Sequence, residues 1–203
     1  MRREPRWPVI LALLSISGLY WALPEPLTPG PGWLLLALVL PLTIASAILQ
    51  RMSRFELNRI IGHVLSGLVT AAVIASLSLL IAALPDHKES PRELLRSAAA
   101  LWVSNILVFA SWYWRLDAGG PHEREMRASH VEGAFLFPQM SAGDCDWRPG
   151  FVDSLFLAFN TSTAVSPTDV PVLARWAKGM MMVQSTISFA TVALLAARAV
   201  NIL

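Results

Sequence analysis

The stretch FVDSLFLAFNTSTAVSPTD, residues 151–169, decides how the chain is read. Its first part, 151–163, is mostly apolar and predicts a helix. At 1.5 Å per residue that helix reaches only about 20 Å, whereas a bilayer core needs about 30 Å. It is too short to span and too apolar for water, so it reads as a re-entrant half-helix. The part that follows is polar. Thr161, Ser162, Thr163, Ser166 and Thr168 supply hydroxyls around Ala164 and Val165, and Asp169 closes the patch. Pro167 removes a backbone donor and prevents regular helix. Non-helical backbone at membrane depth is tolerated only where it is buried in protein or lines a wet cavity. Two readings follow: a pore loop whose oxygens replace part of an ion's hydration shell, or a buried polar turn.

Outward from this stretch, the 203 residues are 55% hydrophobic and only 15% charged. Apolar runs at 7–23, 32–50, 60–84, 94–116 and 172–200 alternate with charged or proline-rich connections. The pattern predicts an all-α membrane protein with five transmembrane helices and one re-entrant pore-type half-helix. Residues 1–92 hold three spans. Residues 93–203 form a pore-like module: outer helix, loop 117–150, half-helix 151–163, filter-like segment 161–169 and inner helix 172–200. The aromatic run WYWRLD, which ends the outer helix, fits an interfacial belt. The basic start and first apolar run imitate a signal peptide. The run is longer than the usual apolar region, and Leu23-Pro24-Glu25-Pro26 is a poor cleavage site, so it reads as a retained helix.

Arg2, Arg3 and Arg6 precede the first run, and Arg51, Arg54 and Arg59 follow the second, while the first connection has no Lys or Arg. The positive-inside rule puts this side in the cytoplasm, and five spans then leave the C-terminus outside. The net charge of +2 argues against nucleic-acid binding. Cys145 is the single cysteine, which excludes an intrachain disulfide; two flanking aspartates make it a poor nucleophile. No phosphate loop, HExxH or GxSxG motif is present, so neither an enzyme nor a cofactor is predicted. His122, Glu123, Glu125, His130 and Glu132 lie close in sequence, but their spacing does not define a metal site.

In the inner helix, Gln184, Ser188 and Thr191 share one face. Such a stripe lines a pathway or makes helix–helix contacts. Asp153 suits the start of the half-helix as a cap or dipole partner. His63 reads as interfacial, and Asn105 as a bond to a neighbouring helix.

Thr161, Thr163, Val165 and Asp169 match positions of T-x-T-T-V-G-Y-G-D, the signature of the potassium-channel pore domain, which the last half of the chain resembles. The order outer helix, loop, pore helix, filter, inner helix is also similar. The blocks SNILVFASWYWRLDAGGP, FLFPQM and RWAKGMMMVQSTISFATVALLAARAVNIL resemble a family of small bacterial integral membrane proteins. The resemblance implies a homotetramer in the lipid bilayer of the bacterial inner membrane, passing small monovalent cations, with the inner helix ending in the cytoplasm, opposite to what the arginines give. It also implies a non-standard filter, because Ser166-Pro167-Thr168 stands where the channels have Gly-Tyr-Gly. The rival expectation is a non-conducting structural or sensory membrane protein that keeps the same fold.

Overall fold

The computed structural model describes residues 4–83, 91–127, 133–142, 147–163 and 170–200. In chain order the helices are α1 (Trp7–Trp21), α2 (Trp33–Arg51), α3 (Phe55–Ala83), α4 (Pro91–Leu116), α5 (Pro121–Met126), α6 (Pro138–Ser141), α7 (Phe151–Thr163) and α8 (Arg175–Val200). The one isolated extended pairing among the described residues is the antiparallel bridge between Phe135 and Val172. Four helices, α2, α3, α4 and α8, are long and apolar enough to cross a membrane. Helix α1 has 15 residues and reaches about 22 Å. By length it falls short of a span, so the expected count of five is not met on that criterion.

Helices α1 to α4 run up and down. The α2–α3 turn is only three residues long because Ser53 takes a left-handed conformation, φ 57°, which reverses the chain at once. Helix α4 is the axis of the molecule, with α1, α3, α7 and α8 all packed on it. Of its most apolar window, 61% is buried, against 17% for α2 and for α8. The outer faces are correspondingly greasy. Leu40, Ile44 and Ile48 on α2 are exposed at helical spacing, as are Met182 and Phe189 on α8. A surface of this kind calls for lipid or another chain.

The aromatic run at the end of α4 does not form an interfacial belt. Tyr113 and Trp114 are buried in the bundle, and Trp112 Nε1 donates to Thr70 Oγ1 at 2.9 Å. The exposed tryptophans among the described residues are instead Trp7 and Trp21, at the two ends of α1, Trp33, at the start of α2, and Trp176, in the first turn of α8.

Much of the loop 117–150 folds back on the bundle where it is described. Arg124 is buried. Its Nη2 pairs with Glu4 Oε2 at 3.0 Å, and its Nη1 donates to the Trp114 and Asp117 carbonyls, each at 2.9 Å. The Trp114 indole also donates to the Glu4 carboxylate. Asp117 Oδ1 accepts from the Ala134 amide at 2.7 Å, which draws the buried Phe135 onto Tyr113. These bonds tie the N-terminus, the end of α4 and the loop together.

Burial pushes the Glu4 carboxyl above its ordinary 4.5, with Arg124 opposing the shift. A raised acid binds its proton more tightly in the folded state, so this group adds stability as pH falls through the raised value towards 4.5. The thermal midpoint of the wild type should rise over that window relative to Glu4→Gln, which cannot titrate. Glu4→Ala should cost about 3–5 kcal/mol at neutral pH, because it strands a buried arginine; detergent unfolding followed by tryptophan fluorescence measures both.

Candidate functional site at the half-helix

Helix α7 has 13 residues. Asp153, three positions into its first turn, reaches back so that Oδ2 accepts from the Gly150 amide at 2.7 Å. This is the acidic half of a capping box. Phe151 meets the Trp114 ring edge-on at 6.3 Å, and Phe159 meets Trp102 at 6.2 Å. Helix α7 therefore runs antiparallel to α4, from the end of α4 to about its middle. The chain comes back to the same level. Leu173 donates to the Ala134 carbonyl at 2.8 Å and Leu136 to Pro171 at 2.9 Å, while Trp176, in the first turn of α8, packs on Phe135. The half-length helix thus begins, and α8 starts, at one end of the bundle.

Gln184 joins the three helices. Its Nε2 donates to the Ala158 carbonyl at 2.7 Å and to Ser162 Oγ at 2.8 Å. Its Oε1 accepts from the Tyr113 hydroxyl at 2.5 Å, and its backbone carbonyl accepts from Asn105 Nδ2 at 3.2 Å. One turn on, Ser188 Oγ donates to the Ser162 carbonyl at 2.5 Å and accepts from Trp102 Nε1 at 3.0 Å. Thr191 is buried and donates back to Ile187 at 2.8 Å.

Of the stripe Gln184, Ser188 and Thr191, the first two therefore form a seam against α4 and α7, the helix–helix contact of its two readings. All three side chains are buried within the chain. The face of α8 turned outward carries Met182, Val183, Phe189 and Val192.

Of the filter-like residues, Thr161, Ser162 and Thr163 form the last turn of α7. Thr161 and Ser162 are buried; Thr161 Oγ1 bonds back to Leu157 at 2.8 Å. Thr163 is half-buried and donates to the Asn160 carbonyl at 3.1 Å. Ala164, Val165, Ser166, Pro167, Thr168 and Asp169 lie outside the described residues. A helix C-terminus leaves its last four carbonyls without helical partners. Here Asn160, Thr161 and Ser162 are each met by a side-chain hydroxyl, from Thr163, Ser185 and Ser188. Three of the four terminal carbonyls of α7 are thus met by hydroxyls from inside the chain.

Asn105 does bond to a neighbouring helix, as its position in an apolar run implies. Trp102 and Tyr113 carry the rest of the network and were not singled out. The available signal was their helical register with Asn105, which puts the polar tips on one face. No family model, curated protein or solved structure matches the chain.

Gln184→Leu should destabilise the protein by about 1–3 kcal/mol for each buried group left without a partner. Tyr113→Phe should cost less. In a double-mutant cycle the two should be non-additive, with a coupling of about 0.5–3 kcal/mol, read from chemical or thermal unfolding in detergent.

Proposed function

We propose that the chain is a multi-pass protein of a cell membrane whose α4–α7–α8 unit acts as a pore module passing small cations in a homo-oligomer. The observation that carries this reading is the thirteen-residue α7, wedged against α4 and α8 and entered and left at one end of the bundle. In a bilayer such an element is re-entrant, and the loop after it is the natural place for a permeation path. On this reading α1, extended by its flanking residues, is a fifth span. The arginines put the N-terminus in the cytoplasm, and the re-entrant loop then opens to that side.

Oligomerisation is supported by the outward face of α7. Val152, Phe156 and Phe159 are exposed along one stripe, and one half-helix with one inner helix cannot enclose a path alone. The resemblance to potassium-channel pores points to a tetramer, with Thr163, Val165 and Ser166 nearest the axis and Asp169 at the mouth.

A second reading, a non-conducting structural or sensory membrane protein with the same module, is favoured by a different observation. The Ser162 hydroxyl and the Thr161 and Ser162 carbonyls are already engaged by Gln184, Ser185 and Ser188.

Crosslinking in detergent should trap a tetramer, and proteoliposomes should pass monovalent cations; a strictly monomeric particle, or oligomers without flux, would select the second reading. Thr163→Ala should alter conductance or selectivity while the oligomer persists, since one lost hydroxyl costs about 1 kcal/mol. Asp169→Asn should lower cation flux most at low ionic strength, where screening is weakest.

A further inference from the structure

The start of α1, the end of α2, the start of α3 and the end of α4 enclose a cavity that shares no lining residue with the α7 network. It holds about 830 Å³ of empty space, counting its open mouth. Its polar wall carries Arg6, Arg59, Arg115 and His63 with the carboxylates Glu56 and Glu123, and its apolar wall includes Val9, Ile10 and Leu13.

Three arginines face two carboxylates in this lining. Glu56 is held by Arg59, 2.8 Å away at the exposed rim. Arg6 reaches Glu125 only at 3.7 Å. Asn58, oriented to donate to Ser46, accepts from Arg6 Nη1 at 3.2 Å, yet Arg6 Nε is buried without a protein partner.

Arg115 is the extreme case. Its Nε is likewise buried and unpartnered, and among the described residues no carboxylate lies within ion-pair distance of its guanidinium. It rests beside the Trp114 ring, with Cζ 5.8 Å from the centroid, and over Gly62, where any Cβ would collide with Nη1. A buried cation without a partner is costly. Arg115, half-buried with no carboxylate partner among the described residues, and Arg6, half-buried with Glu125 only at 3.7 Å, together define a place where an anion is favourable. The planar guanidinium suits bidentate bonding to phosphate.

The apolar wall adds a second requirement. A ligand that satisfies both walls carries an anionic head and a hydrocarbon body. Basic pockets between membrane helices are suited to such heads.

We propose that this cavity binds the phosphate of an anionic phospholipid, with Arg115 and Arg6 on the phosphate oxygens and the acyl portion along Val9, Ile10 and Leu13. Arg59 at the rim guides the head inward. Gly62 is a positioning residue, because the missing Cβ sets where the Arg115 guanidinium lies. The site is independent of the pore reading: either can fail while the other stands.

The test is a titration of the full chain, in neutral detergent, with phosphatidylglycerol, phosphatidylcholine or inorganic phosphate, following thermal unfolding by tryptophan fluorescence. Phosphatidylglycerol should raise the midpoint saturably and phosphatidylcholine should not. Arg115→Gln should weaken the response to phosphatidylglycerol by about tenfold or more. Gly62→Ala keeps every charge but displaces the guanidinium, and it should weaken the response as well; it decides the matter if Arg115→Gln does not fold. An equal shift with inorganic phosphate alone would overturn the lipid assignment and leave a free-anion site on the same arginines. Equal responses to the two lipids, or wild-type responses from both variants, would overturn the site itself.

Discussion

A single carboxamide, that of Gln184, holds the second half of this protein in place. It lies where α4, α7 and α8 meet, and it is fully buried. Both of its N–H groups and its oxygen have partners, one set on α7 and one on α4. In an apolar interior an unpaired amide is costly, so each bond fixes a helix as well as stabilising it. Helix α7 needs this more than the others. It is short, its outer stripe of Val152, Phe156 and Phe159 is exposed, and helix propensity alone would not hold so short a segment. The network sets how deep α7 sits and where it stops.

The opposite half obeys the same rule with charge in place of amide. The Glu4–Arg124 pair closes the N-terminus onto the end of α4, with the Trp114 indole and two carbonyls completing the set. That arrangement compensates Arg124. Nothing equivalent compensates Arg115, although the two side chains flank the same Trp114 ring. The contrast between two arginines so close together separates a structural cation from one left open to a ligand.

The helical class, the boundaries of α7 and the order of elements in the second half were legible because they follow from run length and composition. Residues 151–163 are helical over the range expected, and α2 and α4 lie within a few residues of theirs. What was not legible depends on rotation about helix axes. The spacing of Gln184, Ser188 and Thr191 shows that they share a face but not which neighbour that face meets. Likewise WYWRLD has the composition of an interfacial belt, yet α4 is surrounded by other helices, so Tyr113 and Trp114 are buried while Trp7, Trp21 and Trp33 are exposed. Nothing in the local sequence sets Glu4, Arg115 and Arg124 apart from other flanking charges. Their importance arises from burial, and burial at a helix end depends on how the loop after α4 folds back.

The internal satisfaction of α7 narrows what any permeation path through this module can be built from. In the pore reading, the negative end of a half-helix favours a cation. That field is weakened where Ser188 and Ser185 already bond to the terminal carbonyls. On that reading coordination falls to the segment 164–168. Glycine reaches the left-handed conformations that turn successive carbonyls inward; serine and threonine resist them, and proline holds φ near −65°. A ring of evenly spaced carbonyls is therefore disfavoured by the chemistry of this segment. What it offers in place of carbonyls is hydroxyl oxygens, which donate as well as accept and carry no net charge. A path lined in that way holds partly hydrated ions weakly and discriminates among them little. Asp169, if it sits at the mouth, would then contribute more to choosing the sign of the ion than the narrow segment does to choosing its size.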